Sequence, residues 1–299
     1  MSAQSPSNTL PTGFALWLAG ARPKTLPAAV VPVAVGTASV ATESFVAWRA
    51  LAAMVVALAL QVATNYANDY SDGIRGTDDE RVGPLRLVGS GAASASAVKK
   101  AIFVSFGVAA VVGLALSVAV NPWLLVVGAA SIAAGWFYTG GSKPYGYLGL
   151  GEVFVFVFFG LVATVGSAYV QTESVSGLAL VLSIPVGVFA TALLVINNLR
   201  DREGDAAVGK NTLAVRMGDR NTRALYTASM LGAFALIALT AGLASRPWLL
   251  LGLVGLGPAW PGIRTVSQGA LGRDLIPVLE ATGKTQLVAG TLMTIGLVI

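Results

Sequence analysis

The chain has 299 residues, of which 55% are hydrophobic and only 11% are charged, and its net charge is +5. Soluble domains carry roughly a quarter charged residues, so this composition cannot cover a water-facing surface. The absence of cysteine and histidine excludes disulfides, thiolate metal sites and the most common general base. A metal bound here would need oxygen ligands, which favours a hard ion such as magnesium.

Long apolar stretches recur along the chain, each close to the length that crosses a membrane as a helix. Nine such spans are predicted, at 26–42, 50–70, 101–120, 122–138, 149–170, 177–199, 224–244, 247–263 and 285–299. The first 20 residues contain no lysine or arginine and do not resemble a signal peptide. We therefore expect an all-α, polytopic membrane protein with one domain over residues 1–299, in which 1–20 is a polar cytoplasmic segment.

The basic residues are divided unequally between the two ends of these spans. If the N-terminus is cytoplasmic, all 19 lysine and arginine residues except Arg49 and Arg246 fall on the cytoplasmic side. Of the 14 acidic residues, only Glu43 and Glu173 fall on the outer side. Basic cytoplasmic loops therefore account for the net charge, and we expect no nucleic-acid partner.

Two polar clusters of similar pattern close the second and the sixth predicted spans. Each contains Asn-Asx-x-x-Asp, and each carries a further acid downstream, which suggests two similar halves that face one another. The first cluster contains Asn65, Asn68, Asp69, Asp72 and Asp78, and the second contains Asn197, Asn198, Asp201 and Asp205.

Helical spacing would place several of these oxygens on one face of each helix. Residues separated by three, four or seven positions share a face, which aligns Asn65, Asp69 and Asp72. The same spacing aligns Asn198, Asp201 and Asp205 in the second cluster. Carboxylates held close together near hydrocarbon repel one another, and magnesium bridging to a phosphate ligand would relieve that repulsion.

Basic side chains are interleaved with the acids, as expected where a diphosphate binds beside its metal. These side chains belong to Arg75, Arg81, Lys143, Arg200, Arg202 and Lys210. Such a site at membrane depth fits ionisation of an allylic diphosphate, because the cations would stabilise the leaving group while an apolar cavity excludes water. Ordinary helix ends in solvated loops remain the alternative explanation.

Other positions have two interpretations each. Arg22 and Lys24 precede the first span, where they could bind phosphate or an acceptor carboxylate, or simply anchor the helix. Tyr138 and Lys143 flank a Gly/Pro-rich loop, where a substrate role is plausible. The phenylalanine-rich stretch 154–159 could line a prenyl tunnel, although lipid-facing packing is favoured.

Three stretches, 21–27, 65–91 and 197–218, resemble the UbiA superfamily of intramembrane aromatic prenyltransferases. Within it they look most similar to the branch that serves menaquinone (vitamin K2) synthesis. The resemblance implies nine helices around a central cavity, with a cytoplasmic cap and a lateral opening to lipid, in the inner membrane of a bacterium. It also implies Mg²⁺-dependent transfer from polyprenyl diphosphate to 1,4-dihydroxy-2-naphthoate, with loss of CO₂ and diphosphate, giving demethylmenaquinol.

The motifs of the family imply roles for individual residues here. Asp72 and Asp201 would be catalytic. Many relatives place another acid four residues after Asp72, whereas the next acid here is Asp78, a spacing typical of the menaquinone branch. The implied metal ligands are Asn68, Asp69, Asp72, Asp78, Asp201 and Asp205. The expected substrate-binding residues are Arg22, Lys24, Asn65, Arg75, Arg81, Tyr138, Lys143, Asn197, Asn198, Arg202 and Lys210.

Two other functions are compatible with parts of the pattern. A sister enzyme would use 4-hydroxybenzoate or homogentisate as its acceptor. A transporter of divalent cations or phosphate compounds would instead place its ionisable residues near the bilayer midplane. Here those residues stop at one interface, which favours an enzyme.

Overall fold

The computed structural model describes residues 10–76 and 85–299, which form helices and connecting segments without any strand. The α-helices are α1 (Gly13–Ala21), α2 (Pro27–Ala38), α3 (Ala47–Ile74), α4 (Ala95–Ala119), α5 (Leu124–Phe137), α6 (Gly151–Val155), α7 (Ala163–Thr172), α8 (Gly177–Ala207), α9 (Leu213–Leu243), α10 (Leu256–Ser267) and α11 (Ile276–Val298). The segment Phe156–Val162 is π-helical, and four short 3₁₀ segments occur at Pro23–Thr25, Tyr145–Leu148, Pro247–Gly255 and Gly272–Leu275.

The helices overlap the predicted spans, and the all-α class is confirmed. Six helical stretches in the described part of the chain are long and apolar enough to cross a membrane by length and composition. They are Ala47–Ile74, Ala95–Ala119, Gly151–Thr172, Gly177–Ala207, Leu213–Leu243 and Pro247–Ser267. α2 and α5 are shorter apolar helices. The chain is therefore a multi-pass membrane protein, while the count of nine crossings stays a prediction.

The two polar clusters lie on the last turns of the two helices that carry them. α3 continues to Ile74 and α8 continues to Ala207, beyond the predicted span ends at 70 and 199. α8 ends where Gly209 adopts a positive φ of 73°, and the backbone N–H of Lys210 donates to the carbonyl of Asp205 at 2.8 Å. Such a left-handed glycine reverses the chain after a helix. The reversal brings Lys210 back toward the acids of its own helix.

α8 is the central helix of the bundle. It packs against α2, α9, α11 and the π-helical segment, and it buries Leu182, Val186 and Ile196. It meets the π-helical segment through two glycines, since a Cβ added to Gly160 would lie 2.7 Å from the Cα of Gly187. Small residues allow this backbone contact between membrane helices, where water supplies no driving force for association.

Gly36 on α2 provides a test of such close packing. A Cβ at this position would lie 2.1 Å from the carbonyl oxygen of Thr164 on α7, so Gly36→Ala must push the two helices apart. We expect a loss of about 1–3 kcal/mol in stability, seen as a lower thermal unfolding midpoint in detergent. The control is Gly232→Ala on α9, where nothing lies within 4 Å of the added Cβ. Equal midpoints for the two variants would contradict the close approach.

Candidate functional site

A cavity of about 490 Å³ lies between α2, α3, α4, α5, α8 and the π-helical segment. Its polar end lies where α3 and α8 finish, and the remainder is lined mainly by apolar side chains. The side chains at the polar end belong to Arg22, Asn65, Asn68, Asp72, Arg86, Tyr138, Asn197, Asn198, Asp201 and Lys210. The structure therefore brings residues of both sequence motifs to one end of one cavity.

Asp72 is the point where three separate parts of the chain meet. Its Oδ1 accepts a hydrogen bond from the hydroxyl of Tyr147 at 2.8 Å. Its Oδ2 lies 3.4 Å from Nζ of Lys210 and 3.7 Å from Nη2 of Arg86. Only 2% of Asp72 is exposed. A buried carboxylate is costly unless cations and donors face it, and these three groups supply them.

Tyr147 lies in the connection between α5 and α6, outside the apolar spans. Burial raises the pKa of its hydroxyl to about 12, and the neighbouring charge of Asp72 adds to the rise against an opposing effect of Arg75. The hydroxyl is therefore protonated at neutral pH and donates to Asp72. The guanidinium of Arg75 and the ammonium of Lys210 each lie 5.2 Å from the centre of the Tyr147 ring, within the range of cation–π attraction.

Asp201 is held by its neighbour on α8. Nε and Nη2 of Arg200 donate to the two carboxylate oxygens at 2.8 and 2.7 Å, and Nη2 also donates to Oδ1 of Asn197 at 2.9 Å. The Arg200 side chain is 1% exposed. Bidentate pairs of this kind fix orientation as well as charge. Asp201 and Asn197 are thus presented to the cavity in a fixed arrangement.

Asn198 is oriented by an acid on a different helix. Its Nδ2 donates to Oε1 of Glu152 at 2.9 Å, and Glu152 is buried at the start of α6. Because the amide nitrogen is occupied, the amide oxygen of Asn198 is the atom left for a ligand in the cavity. Glu152 therefore acts on the cavity through Asn198 and does not line it.

Two of the predicted metal ligands lie beside the cavity without lining it. Both oxygens of Asp69 accept backbone hydrogen bonds, from Leu87 at 2.7 Å and from Val88 at 2.9 Å. Asp205 lies 3.6 Å from Nζ of Lys210. Asp69 thus anchors the segment that follows the first motif onto α3, and this segment carries Arg86. Asp78, a further predicted ligand, lies outside the described residues.

The basic candidates divide clearly between the cavity and the surface. Arg22 lines the cavity, and its Nη2 is buried without a hydrogen-bond partner in the described chain. Lys24 is exposed and forms an ion pair with Glu280, and Lys143 is also exposed. Neither lysine lines the cavity. Their contact with a substrate therefore stays a prediction, which this position outside the cavity does not favour.

Two further predicted basic residues contact the protein outside the cavity. Arg75 donates to the backbone carbonyls of Thr139 and Gly141, both at 2.6 Å, and joins the end of α3 to the loop after α5. Arg202 lies 3.3 Å from Glu203 and does not line the cavity.

Asn65 lines the cavity, but its Nδ2 donates to the Ala21 carbonyl at 2.8 Å and so ties the N-terminal segment to α3. The remaining predicted contact, Arg81, lies outside the described residues.

Arg86 lines the cavity, although the sequence motifs did not predict it as a site residue. It is only 8% exposed, although it follows the first motif in what the charge pattern predicts to be a cytoplasmic loop. The sequence contained a feature that could have identified it, because Arg86 belongs to the stretch 65–91 that resembles the prenyltransferases. A loop arginine cannot be distinguished from a membrane anchor by sequence alone, because the positive-inside rule explains both.

The apolar part of the cavity has an aromatic wall. Phe154, Phe158 and Phe159 line it, so the lipid-facing packing favoured for this stretch was wrong for these three. The ring of Tyr145 stacks on Phe154 with centroids 3.9 Å apart. The π-helical turn carries both Phe158 and Phe159, and such turns are frequent at functional sites.

The cavity also reaches the outer surface of the bundle. Leu114 on α4 and Leu125 and Val127 on α5 line the cavity and are 49%, 49% and 41% exposed. At this position the border of the cavity is therefore formed by exposed apolar side chains, as contact with lipid would require.

The donors at the polar end suit magnesium that arrives with a phosphate ligand. Among the described residues no three acidic side chains are grouped as a preformed metal cluster. The cavity instead presents the carboxylates of Asp72 and Asp201 with amide oxygens beside them. Mg²⁺ is usually bound through one or two carboxylates together with water and substrate phosphates, so this donor set fits the ion.

Comparison with known proteins gives consistent results. A model described as the UbiA prenyltransferase family matches residues 29–274. A Mycobacterium leprae (strain TN) protein named 1,4-dihydroxy-2-naphthoate octaprenyltransferase is 50% identical over 276 residues, which cover 92% of this chain and 93% of that protein. A protein of the same name from Escherichia coli (strain K12) is 39% identical and covers 75% of each chain.

Solved structures share the fold at low sequence identity. A UbiA homolog from Archaeoglobus fulgidus bound to GPP and Mg²⁺ has a TM-score of 0.61 at 12% identity, covering 93% of this chain and 99% of that one. The apo structure of a UbiA homolog from Aeropyrum pernix K1 also has a TM-score of 0.61, at 16% identity, covering 86% and 96%.

The two roles open to Asp69 can be separated by experiment. If it anchors the backbone of Leu87 and Val88, Asp69→Ala should speed amide hydrogen exchange in 85–93 by about tenfold, since one hydrogen bond to a charged group contributes about 1.5 kcal/mol. Asp69→Asn keeps one acceptor oxygen and should show a smaller increase. Unchanged exchange combined with weaker Mg²⁺ binding would identify Asp69 as a metal ligand instead.

Proposed function

Because this chain belongs to the UbiA prenyltransferase family, we propose that it transfers a polyprenyl group from polyprenyl diphosphate to 1,4-dihydroxy-2-naphthoate. The products would be demethylmenaquinol, CO₂ and diphosphate. The observation that carries the proposal is the division of one cavity into an acid- and base-rich end and a long apolar, aromatic remainder. An amphiphilic donor with a charged head and a prenyl tail matches that division.

The diphosphate would lie at the polar end, beside Asp72 and Asp201. Arg86 and Lys210 already face Asp72, so their charges are placed where phosphate oxygens need stabilisation. We propose that Asn68, Asp72, Asn197, Asn198 and Asp201 hold Mg²⁺ there. When bound, the ion would supply positive charge that offsets the departing diphosphate.

The apolar remainder would protect the reacting carbon. When the allylic C–O bond breaks, its electron pair leaves with the diphosphate, and the prenyl carbon becomes a cation that water would capture. The stacked rings of Tyr145 and Phe154 exclude water there and offer π-faces to positive charge. The electron-rich acceptor ring then forms the new C–C bond, and the carboxylate leaves as CO₂ with its bonding electrons returned to the ring.

Arg22 is the residue best placed to recognise the acceptor carboxylate. It lines the cavity, whereas Lys24 and Lys143, two other basic residues predicted to bind substrate, are exposed and do not line it. Its buried Nη2 lacks a hydrogen-bond partner in the described chain, and a buried donor left unsatisfied is unfavourable. A bound carboxylate would supply the missing acceptor.

We also propose that the polar end faces the cytoplasm and that the protein resides in the inner membrane of a bacterium. The unequal division of lysine and arginine supports this orientation. The α3 and α8 termini, with their acids, lie on the same side as most of those bases. The donor would then enter from the bilayer where Leu114 and Leu125 are both exposed and part of the cavity wall.

The fate of the acceptor carboxylate is the decisive test of the function. Purified protein given a polyprenyl diphosphate, Mg²⁺ and carboxyl-labelled 1,4-dihydroxy-2-naphthoate should release labelled CO₂ in a one-to-one ratio with diphosphate. The prenylated product, identified by mass spectrometry, should carry no label. Retention of the label would exclude the decarboxylating reaction, while product formed only from 4-hydroxybenzoate would assign the chain to a sister activity.

The two cavity-lining aspartates should both be essential for turnover. Asp72→Asn and Asp201→Asn each remove a charge that would hold metal against the diphosphate, and we expect at least ~100-fold lower turnover for each. Asp274→Asn makes the same change at an exposed position and should leave turnover unaltered. Near-normal activity of either cavity variant at saturating magnesium would return that aspartate to a structural role at the helix end.

A further inference from the structure

Lys210 lies between the acids of the two motifs. Its Nζ lies 3.4 Å from Oδ2 of Asp72 on α3 and 3.6 Å from Oδ1 of Asp205 on α8. The side chain is 13% exposed, and its ammonium lies 5.2 Å from the centre of the Tyr147 ring. One ammonium thus links both helix ends and the loop between α5 and α6.

The position of this ammonium has an electrostatic reason. Asp72 and Asp205 are 2% and 8% exposed, and two carboxylates in such surroundings repel one another strongly when no cation lies between them. Lys210 supplies a positive charge to both. Asp201 is neutralised separately, by the bidentate contact with Arg200. Without a ligand, the acids at this end of the cavity therefore already face cationic side chains of the protein itself.

The contacts of Lys210 are suited to being broken. Charge-assisted hydrogen bonds are commonly about 2.7–2.9 Å long, so separations of 3.4 and 3.6 Å indicate a loose contact. A lysine ammonium is a compact charge on a flexible four-carbon stem, which can move without disturbing the backbone. The backbone of Lys210 is held independently, by its N–H bond to the Asp205 carbonyl.

We propose that Lys210 is an exchangeable counter-cation that neutralises Asp72, one of the proposed metal-binding acids, together with Asp205, and that it opposes binding of Mg²⁺ in the absence of a diphosphate. When Mg²⁺ arrives together with a diphosphate, the ammonium transfers from Asp72 to a phosphate oxygen, so charge stays balanced before and after loading. Lys210 is thus a positioning residue that couples metal binding to donor binding. The inference rests on the proposed function for the identity of the anionic ligand.

The test measures metal binding in the absence of any reaction. Full-length protein in detergent is titrated with MgCl₂ alone, by calorimetry and by the shift in thermal unfolding midpoint. We expect Lys210→Met to bind Mg²⁺ about tenfold more tightly than the wild type, because a competing positive charge is removed from the carboxylates. Its midpoint without metal should be lower than that of the wild type, and MgCl₂ should raise it more.

Two control variants separate charge from other effects of the substitution. Lys210→Arg keeps the positive charge and should bind Mg²⁺ as the wild type does. Lys100→Met removes the same charge from an exposed position at the start of α4 and should also leave affinity unchanged. If Lys210→Met remains at wild-type affinity or binds more weakly, the proposal is overturned.

A second titration addresses the transfer of the ammonium to phosphate. With MgCl₂ held at saturation, inorganic diphosphate should bind the Lys210→Met protein at least about fivefold more weakly than it binds the wild type, because one phosphate partner is missing. Equal affinity would contradict the transfer. Neither titration depends on product formation, so failure of the carboxyl-label experiment and failure of this inference are observed separately.

Discussion

The structure depends on neutralising a group of acids at one end of an apolar helical bundle. Asp69, Asp72, Asp201 and Asp205 are all nearly buried, where an unpaired carboxylate is strongly unfavourable. Asp69 accepts hydrogen bonds from backbone N–H groups, and Asp72 faces a tyrosine and two cations. Asp201 forms a bidentate pair with Arg200, and Asp205 shares Lys210 with Asp72. The loops around the cavity are arranged as they are because they carry these partners.

The same requirement explains why so many connecting segments converge on the ends of α3 and α8. The segment at 85–88 is held by Asp69 and delivers Arg86, and the loop after α5 is held by Arg75 and delivers Tyr147. The reversal at Gly209 delivers Lys210. Each loop therefore has one contact that fixes its backbone and another that brings a side chain to Asp72. Separating these two tasks lets the side chains at the cavity respond to a ligand while the backbone stays in place.

The helices could be predicted from the sequence because they depend on apolar length, which is a local property. The polar clusters were also recognisable, and their convergence on one cavity follows from their matched positions on α3 and α8. It was harder to predict which individual side chains on these helices line the cavity. Helical spacing groups Asp69 with Asp72, yet the cavity is lined by Asn65, Asn68 and Asp72, and Asp69 is directed to Leu87. Two sets of positions on α3 fit these spacings, one that includes Asp69 and one that includes Asn68 and Asp72. The segment that binds Asp69, at Leu87 and Val88, lies outside the helix, so the spacing within α3 does not reveal which set lines the cavity.

The cavity-lining positions of α3 show why spacing alone does not resolve that choice. Two rows of positions at intervals of four residues line the cavity, with Ala53, Ala57, Gln61 and Asn65 in one and Val56, Leu60, Thr64, Asn68 and Asp72 in the other. The first row continues to Asp69, whose carboxylate instead accepts hydrogen bonds from the backbone of Leu87 and Val88 and does not line the cavity.

The basic residues pose a different problem, which no periodicity resolves. Lys24 and Lys143 lie close in sequence to residues that line the cavity, but both are exposed. Lys24 forms an ion pair with Glu280 on α11. Arg22, only two residues from Lys24, lines the cavity because the chain adopts a left-handed conformation at this residue, with φ of 54°, between α1 and the following 3₁₀ turn. Asn65 holds that turn by donating to the Ala21 carbonyl. A residue of the first motif thus helps to fix which basic side chain lines the cavity, and the role proposed for Arg22 rests on this contact between α3 and the N-terminal segment.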